Sequence, residues 1–301
     1  MRDLARLIIG VEMASNTEIK NYNDRVSVAI KDGIADVRLD RADKRNALDP
    51  AMFDAIAKAG KDLVTNREVR AVVLSGNGNS FCAGLDFASF QSMADSGASG
   101  VGVGTQKNAG AQENAGSMQP GAITHLAQQI CWVWQEVPVP VVAALQGHAL
   151  GGGMQLALGA DIRIAHAETQ FAMREVHWGL IPDMTGTLML SRLVRDDVAK
   201  DLVFSARIIS GAEAHQLGVV TRLSDKPLET AIEIAREIAE RSPDAVRGAK
   251  ALINRLSNNG AAEHFAEERR IIYSLIGKPN QVEAVMSNFE KRPAKFVPPT
   301  V

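Results

Sequence analysis

The sequence predicts an α/β fold whose strands pair mostly in parallel. Three short apolar runs have the length and composition of strands buried on both faces: residues 69–75, 139–145 and 162–165. Segments of helical periodicity lie between them, and strands that alternate with helices are typical of a parallel sheet covered by helices. The chain has 301 residues and is 46% hydrophobic, so it can bury one large core.

The elements that precede these strands have clear local signals. Residues 26–39 predict a β-hairpin that turns at Lys31-Asp32-Gly33, because a glycine-containing turn separates two apolar runs. Asp49 and Pro50 then predict the start of a helix that continues to about residue 64. Aspartate is favoured at the helix N-cap, and proline is favoured at the first helical position.

Composition divides the chain into a core and three other regions. We place the core at 25–225, after an N-terminal extension over residues 1–24 that we expect to be flexible. Residues 91–121 are rich in Gly, Ala, Ser and Asn, so we expect a mobile excursion, either an insertion of no consequence or a lid near the site. The helical pattern of residues 226–301 predicts a C-terminal appendage, docked on this chain or on a neighbouring subunit.

Charge and composition argue against several classes of protein. The formal net charge is −2, with no run of Lys and Arg, which argues against a nucleic-acid partner. The sequence has no apolar run of the roughly 18 residues that a membrane span needs. Two cysteines make no disulfide framework and predict a reducing compartment, the cytoplasm. The six histidines lack the spacing of metal ligands, so we expect no metal.

Two glycine turns are the first candidates for chemistry. Gly84 lies in the turn Phe81–Asp86, and three consecutive glycines, 151–153, follow an apolar strand and open a helix. Two backbone N–H groups directed at one oxygen form an oxyanion hole. A phosphate-binding loop would need Lys-Ser or Lys-Thr after the glycines, and the serine motif G-x-S-x-G is also missing. Gln155 lies one turn into the helix, where an acid or base is expected, and is neither.

Glu175 and Asp183 are the candidate acids. They are eight positions apart across a predicted loop, so both can line one cavity. Most acidic side chains are solvated surface groups, so their positions alone leave both roles open. A glutamate in an apolar cavity has a raised pKa and becomes a better base for a weakly acidic proton.

In chain order, the motifs resemble those of the crotonase superfamily, the enoyl-CoA hydratase/isomerase group. The matching segments span about residues 25 to 222 and are Arg41–Asp49, Phe81–Asp86, Pro138–Ala144, Gly147–Gly153, Ala160–Ala165, Gly179–Pro182 and Ile209–Val220. The resemblance implies a spiral of ββα repeats with a C-terminal α-helical trimerisation region. It also implies a homotrimer or a dimer of trimers, with a coenzyme A thioester as substrate and no separate cofactor.

The resemblance also implies roles for particular residues. The backbone N–H groups of Leu85 and Gly152 would form the oxyanion hole, and Glu175 would be the principal acid/base. Asp183 would be a second carboxylate or would hold a water molecule. The residues that would bind coenzyme A are Lys44, Arg45, Ala47, Leu48, Ala83 and Asp86.

Gln155 is the departure from the family pattern. Hydratases of the group have a second glutamate at this position, twenty residues before Glu175, and glutamine cannot give or take a proton. We therefore favour double-bond isomerisation of 3-enoyl-CoA or dienoyl-CoA. The alternatives are a 2-enoyl-CoA hydratase that uses Glu175 with Asp183, and an acyl-CoA hydrolase or carbon–carbon lyase. A non-catalytic RNA-binding member is disfavoured by the net charge.

Overall fold

The computed structural model describes residues 19–89, 118 and 121–298. All but two residues of the predicted excursion 91–121 lie outside these ranges, as do the first 18 residues of the chain. The N-terminal boundary differs from the prediction, because strand β1 (Ile19–Tyr22) lies within the extension expected over 1–24. Tyr22 is buried and its hydroxyl donates a hydrogen bond to Asp62, which ties this strand to the core.

A seven-stranded sheet forms the centre of the molecule, in the order β1-β2-β3-β4-β5-β7-β10. The first three strands are antiparallel, and the predicted hairpin is confirmed; from β3 onward all neighbours are parallel. A second sheet, β6-β8-β9, has three strands. The remaining strands are β2 (Val26–Lys31), β3 (Ile34–Leu39), β4 (Ala71–Gly76), β5 (Val141–Leu145), β6 (His148–Leu150), β7 (Ile162–Ala165), β8 (Gln170–Ala172), β9 (Ile209–Ser210) and β10 (Arg222–Leu223).

Helices follow most of these strands. The predicted start of the first helix is confirmed, since the Asp49 carboxylate accepts a hydrogen bond from the Met52 N–H and Pro50 is the first helical residue. The helices are α1 (Pro50–Thr65), α2 (Leu126–Glu136), α3 (Gly152–Leu158), α4 (Gly186–Ser191), α5 (Asp196–Ser205), α6 (Gly211–Gln216), α7 (Pro227–Ala239), α8 (Pro243–Ser257), α9 (Ala261–Leu275) and α10 (Pro279–Phe289).

The central strands β4 and β5 are buried on both faces. Successive side chains of a strand point to opposite faces, and alternate residues of these two strands belong to two different apolar clusters. Helices α1 and α2 contribute to the larger cluster, and α7 covers the other face of the sheet. The first helix after residue 226 is therefore part of the central domain of its own chain.

The other C-terminal helices also dock on this chain. The buried Lys250 ammonium of α8 donates to the carbonyls of Trp134 and Val139 and forms an ion pair with Asp161. Phe265 of α9 is fully buried, with its ring 4.9 Å from that of Trp132. These contacts fix α8 and α9 against the loop and helix that lead into β5.

Candidate active site

A cavity of about 710 Å³ lies where the two glycine turns, the loop after β8 and helix α9 meet. Most residues singled out from the sequence line it: Lys44, Arg45, Ala47, Ala83, Leu85, Asp86, Gly152, Glu175 and Asp183. Gln155 and Leu48 are fully buried and do not line the cavity. The structure thus brings nine of the eleven residues to one space and places the other two in the core.

The two glycine turns touch because strand β6 lies beside the first of them. The Cys82 N–H donates to the His148 carbonyl, and the Leu150 N–H donates back to the Cys82 carbonyl. Gly84 has a φ of +92°, and a Cβ atom there would lie 2.5 Å from the Leu150 carbonyl oxygen and 3.7 Å from the Gly152 nitrogen. Only glycine allows this conformation and this close approach.

The Leu85 and Gly152 N–H groups are available as donors. In the part of the chain that the structure describes, neither N–H group has a hydrogen-bond acceptor, whereas those of Ala83, Asp86 and Gly151 all do. Gly152 is the first residue of α3, so its N–H has no acceptor within the helix and lies at the positive end of the helix dipole. The pair can stabilise an oxygen that gains negative charge.

Glu175 lies against the second glycine turn. It begins a 3-10 helix, Glu175–Trp178, just after β8. The Gly151 N–H donates to the carbonyl of Ala172, the last residue of β8. A Cβ atom on Gly151 would lie 3.3 Å from Glu175 Oε1, so the carboxyl group sits beside the backbone that carries the Gly152 donor.

Burial makes the Glu175 carboxylate more basic. Desolvation raises its pKa to about 7, although hydrogen bonding and the nearby Arg174 guanidinium act in the other direction. One oxygen accepts a hydrogen bond of 2.7 Å from Gln155 Nε2. The other oxygen, Oε2, is buried and has no partner among the described residues. A carboxylate with one free buried oxygen and a pKa near neutrality is suited to abstracting a proton.

The orientation of the Gln155 amide is fixed by backbone donors. Its oxygen accepts from the N–H groups of Met184 at 2.9 Å and Gly186 at 3.0 Å. Because a backbone N–H can only donate, the atom that faces them is the oxygen and the atom that faces Glu175 is the nitrogen. Gln155 is therefore a hydrogen-bond donor to Glu175 and does not line the cavity.

Asp183 directly precedes the turn at residues 184–186, whose Met184 and Gly186 N–H groups donate to Gln155. It lines the cavity and is partly exposed to it. Desolvation raises its pKa to about 8, and the negative charges of Glu268 and Glu175 act in the same direction. The site therefore holds two carboxyl groups whose pKa values are both raised by burial.

The segment predicted to bind coenzyme A is held beside the first glycine turn. Arg45 and Asn46 both have left-handed backbone conformations, with φ of 51° and 55°. The buried Asn46 amide accepts from the Arg41 N–H and donates to the carbonyls of Asn77 and Ser80. The Ala83 N–H donates to the Arg45 carbonyl. These bonds hold Lys44 and Arg45 where they line the cavity.

The Asp86 side chain already has partners in the protein. Its carboxylate forms a 2.6 Å ion pair with Arg41 and accepts from the Ala88 N–H. Arg41 in turn donates to the Ala47 carbonyl. Asp86 therefore holds the segment in place through Arg41, whose charge it balances. Lys44 and Arg45 supply further positive charge to the lining of the cavity.

Sequence reasoning missed the residues that α9 and its C-cap contribute. Ile272, Tyr273 and Ile276 line the cavity, and Glu268 is buried behind it. A signal was available, because Glu268 follows Phe265 by three positions and precedes Ile272 by four, on the apolar face of the helix.

His125 also lines the cavity. Its Nδ1 caps α2 by accepting from the Gln128 N–H, and burial lowers its pKa to about 4, so it is neutral.

The described ranges contain no group of three or more His, Cys, Asp or Glu side chains arranged to hold a metal ion. They also contain no helix that is long and apolar enough to cross a membrane.

The parallel-rich sheet, the paired glycine turns and the facing glutamate define an α/β enzyme of the crotonase class. The chain belongs to the enoyl-CoA hydratase/isomerase family, whose model matches residues 29–298. The fold class expected from the sequence is thereby confirmed.

Individual proteins of this family are similar over most of the chain. A human protein named enoyl-CoA hydratase domain-containing protein 2, mitochondrial, is 31% identical over 88% of this chain and 86% of its own. A probable enoyl-CoA hydratase of Mycobacterium leprae is 31% identical over 86% and 93%. The crystal structure of an enoyl-CoA hydratase/isomerase from Pseudoalteromonas atlantica has a TM-score of 0.76 at 25% identity and covers 91% of this chain and 100% of its own.

Proposed function

We propose that this chain moves a carbon–carbon double bond in an acyl-CoA thioester, with 3-enoyl-CoA or dienoyl-CoA as substrate. The observation that carries the proposal is the hydrogen bond from Gln155 to Glu175, in which the orientation of the amide is fixed. Glutamine at this position neither gives nor takes a proton. Proton transfer then falls to Glu175, which faces the oxyanion donors.

The reaction begins with the thioester carbonyl oxygen between the N–H groups of Leu85 and Gly152. Each donor supplies on the order of 3–4 kcal/mol of stabilisation as the oxygen becomes an enolate. Glu175 takes the proton from the carbon next to the carbonyl, and the electron pair delocalises over the neighbouring double bond. Glu175 returns the proton to the far carbon of the 3-enoyl group, which leaves the double bond conjugated with the carbonyl.

Asp183 is the second carboxyl group in this scheme. With a pKa of about 8 it is protonated at neutral pH. In a dienoyl substrate the carbon that receives a proton lies two atoms further from the carbonyl, and Asp183 supplies that proton. Glu175 then keeps the role of base.

The coenzyme A part of the substrate lies along Lys44, Arg45, Ala47 and Ala83, with phosphate groups near the two cations. No cofactor beyond the thioester itself enters the scheme.

We also keep the cytoplasm as the proposed location, although the relatives include mitochondrial proteins as well as bacterial ones.

Hydration of 2-enoyl-CoA is the second candidate, and the names of the relatives favour it. A mouse methylglutaconyl-CoA hydratase is 29% identical over 88% of this chain and 79% of its own. On this scaffold Glu175 and Asp183 would hold the water molecule between them. Thioester hydrolysis and carbon–carbon cleavage are further alternatives, and release of free coenzyme A thiol would reveal hydrolysis.

Incubation of the purified protein with 3-enoyl-, dienoyl- and 2-enoyl-CoA tests the proposal. We expect isomerisation of the first or second, and a loss of roughly 10²–10⁴-fold in kcat in Glu175→Gln, the size of general acid–base catalysis. The exposed Glu168 gives a matched control in Glu168→Gln, which should keep full activity.

Two results would count against the proposal. Full activity in Glu175→Gln would remove Glu175 from the mechanism. Hydration of 2-enoyl-CoA faster than either isomerisation would replace the isomerase with a hydratase.

Self-association completes the proposal. We propose a homotrimer or a dimer of trimers in which helix α8 contributes to the contact. Its side chains Leu252, Ile253 and Leu256 are 67%, 65% and 85% exposed, although they are large and apolar. A second copy of the chain would cover them.

A further inference from the structure

A buried carboxylate from helix α9, Glu268, lies behind the turn that follows Asp183. Its side chain is 4% exposed. One oxygen accepts from the Thr185 N–H at 3.2 Å and from Gln128 Nε2 at 3.0 Å. The other accepts from the Thr187 hydroxyl at 2.8 Å. Donors thus reach Glu268 from α2, from the turn and from α4.

The turn itself has an unusual backbone. Thr185 has a φ of +71°, a left-handed conformation that β-branched residues rarely adopt. The N–H groups on either side of it, those of Met184 and Gly186, both donate to the Gln155 oxygen. Three consecutive backbone donors are therefore held by two buried side chains, Gln155 from α3 and Glu268 from α9.

We propose that Glu268 is a positioning residue for Asp183: it holds the turn next to this carboxyl group and places a second negative charge close to it. The inference rests on the proposed function, in which Asp183 is the second carboxyl group of the reaction. It assigns a role in the site to a helix of the C-terminal region.

The surrounding charges show how Glu268 would act. Its negative charge and that of Glu175 both oppose ionisation of Asp183. Burial raises the pKa values of Tyr273 and Cys131, so both are neutral near pH 7. Among the described residues, His264, His125 and Arg269 are further titratable or charged groups near Glu268, and Arg192 lies near His264.

Glu268→Gln removes the charge and can keep every hydrogen bond. The amide oxygen can accept from Thr185 and Gln128, and the amide nitrogen then faces the Thr187 hydroxyl. That hydroxyl can accept from it and donate to His264 Nε2, which lies 2.7 Å away. The neighbouring Glu267 is exposed and pairs with Arg270, so Glu267→Gln is a control for loss of one charge on the same helix.

The test is a pH titration of Asp183 by infrared spectroscopy, without substrate. The carbonyl stretch of a protonated carboxyl group that disappears in Asp183→Asn is assigned to Asp183. We expect its midpoint to fall by about half a pH unit or more in Glu268→Gln, because a neighbouring like charge is lost. Glu267→Gln should leave the midpoint unchanged.

A second variant covers the case in which Glu268→Gln does not fold. His264 is partly exposed and lies 3.5 Å from Glu268, and its hydrogen bond to Glu268 raises its pKa; His264→Lys keeps a positive charge there above the pH at which the histidine loses its proton. This variant should move the Asp183 midpoint in the same direction.

An unchanged midpoint in both variants would overturn the inference, and so would the lack of any band sensitive to Asp183→Asn. Because the titration uses no substrate, a failure of the isomerase assay leaves its result standing. An active isomerase with an unmoved midpoint would keep the proposed function and remove Glu268 from it.

Discussion

Gln155 tunes the carboxyl group of Glu175 because both the oxygen and the nitrogen of its amide have fixed partners. The amide N–H stabilises the charged form of Glu175 and so opposes the desolvation that raises the pKa of this group. A glutamate at position 155 would place a second carboxyl oxygen 2.7 Å from Glu175 Oε1, a distance that requires a shared proton. Compared with a glutamate at this position, Gln155 therefore cannot carry a proton, but it gives Glu175 a hydrogen-bond donor of fixed orientation.

The raised pKa of Glu175 predicts an unusual dependence of stability on pH. Its folded-state pKa of about 7 lies above the ordinary value of 4.5, so the folded protein binds a proton that the unfolded chain has lost. The contribution of Glu175 to stability therefore decreases as pH rises from about 4.5 to 7. We expect Glu175→Gln to be more stable than the wild type at pH 8, by roughly 1–3 kcal/mol, while the two are similar at pH 4.

Urea unfolding at the two pH values measures this difference. The exposed-site variant Glu168→Gln should follow the wild type at both. Equal stability of wild type and Glu175→Gln at pH 8 would show that the carboxylate is not desolvated in the folded protein.

The two glycine turns act as one element, because each allows the other's backbone to approach. A Cβ atom at Gly153 would lie 2.2 Å from the Cys82 carbonyl oxygen, and one at Gly84 would lie 2.5 Å from that of Leu150. Both distances are far shorter than van der Waals contact. The distance between the Leu85 and Gly152 donors therefore depends on glycine in both turns.

Gly84→Ala should disrupt this element. The φ of +92° and the Leu150 oxygen both oppose a side chain, so we expect a loss of about 2 kcal/mol or more in the free energy of unfolding, with loss of activity. Gly248→Ala in α8 is the matched control, because a Cβ atom there meets nothing within 4 Å. Alanine in an open helical position should stabilise the protein by up to about 1 kcal/mol.

Urea unfolding and the isomerase assay together decide this prediction. Similar effects of the two substitutions would mean that the turns tolerate a side chain and that their close approach is unimportant.

Across the whole molecule, the sequence predicts elements whose ends are marked by nearby residues, but it does not predict hydrogen-bond partners that are far apart along the chain. Strand β7 has the bounds that the sequence predicts, because a short apolar run sets it apart from its neighbours. The amide orientation of Gln155 depends on backbone donors 29 and 31 residues away. Glu268 depends on partners 81 to 140 residues away, so sequence spacing gives no indication of either arrangement.

The placement of the C-terminal helices was open for the same reason. Lys250 looks like a surface residue of an amphipathic helix, yet its ammonium is buried against two backbone carbonyls and Asp161. Carbonyl acceptors leave no mark in the sequence, because every residue has one. The choice between docking on the same chain and on a neighbour therefore needed the structure.

The exposed apolar side chains of α8 predict the behaviour of the assembled protein. We expect the double substitution Leu252→Asp, Ile253→Asp to lower the mass of the particle in solution while the monomer stays folded, since both side chains are mostly exposed in the single chain. Sedimentation velocity gives the mass, and circular dichroism reports folding. Ile19→Asp, at an exposed apolar position on β1, is the control. A monomeric wild type, or a double variant of unchanged mass, would contradict the proposed association through α8.

Helix α9 and its C-cap add Ile272, Tyr273 and Ile276 to the cavity wall, while the proposed oxyanion donors and base come from residues 85 to 175. Under the proposed function, part of the wall around the acyl group is thus encoded apart from the residues that carry out the reaction. In evolutionary terms, change in the last forty residues would then reshape this part of the wall and leave the proposed catalytic groups in place. Exchanging those residues between two members of the family should transfer acyl preference and leave the reaction type with the recipient.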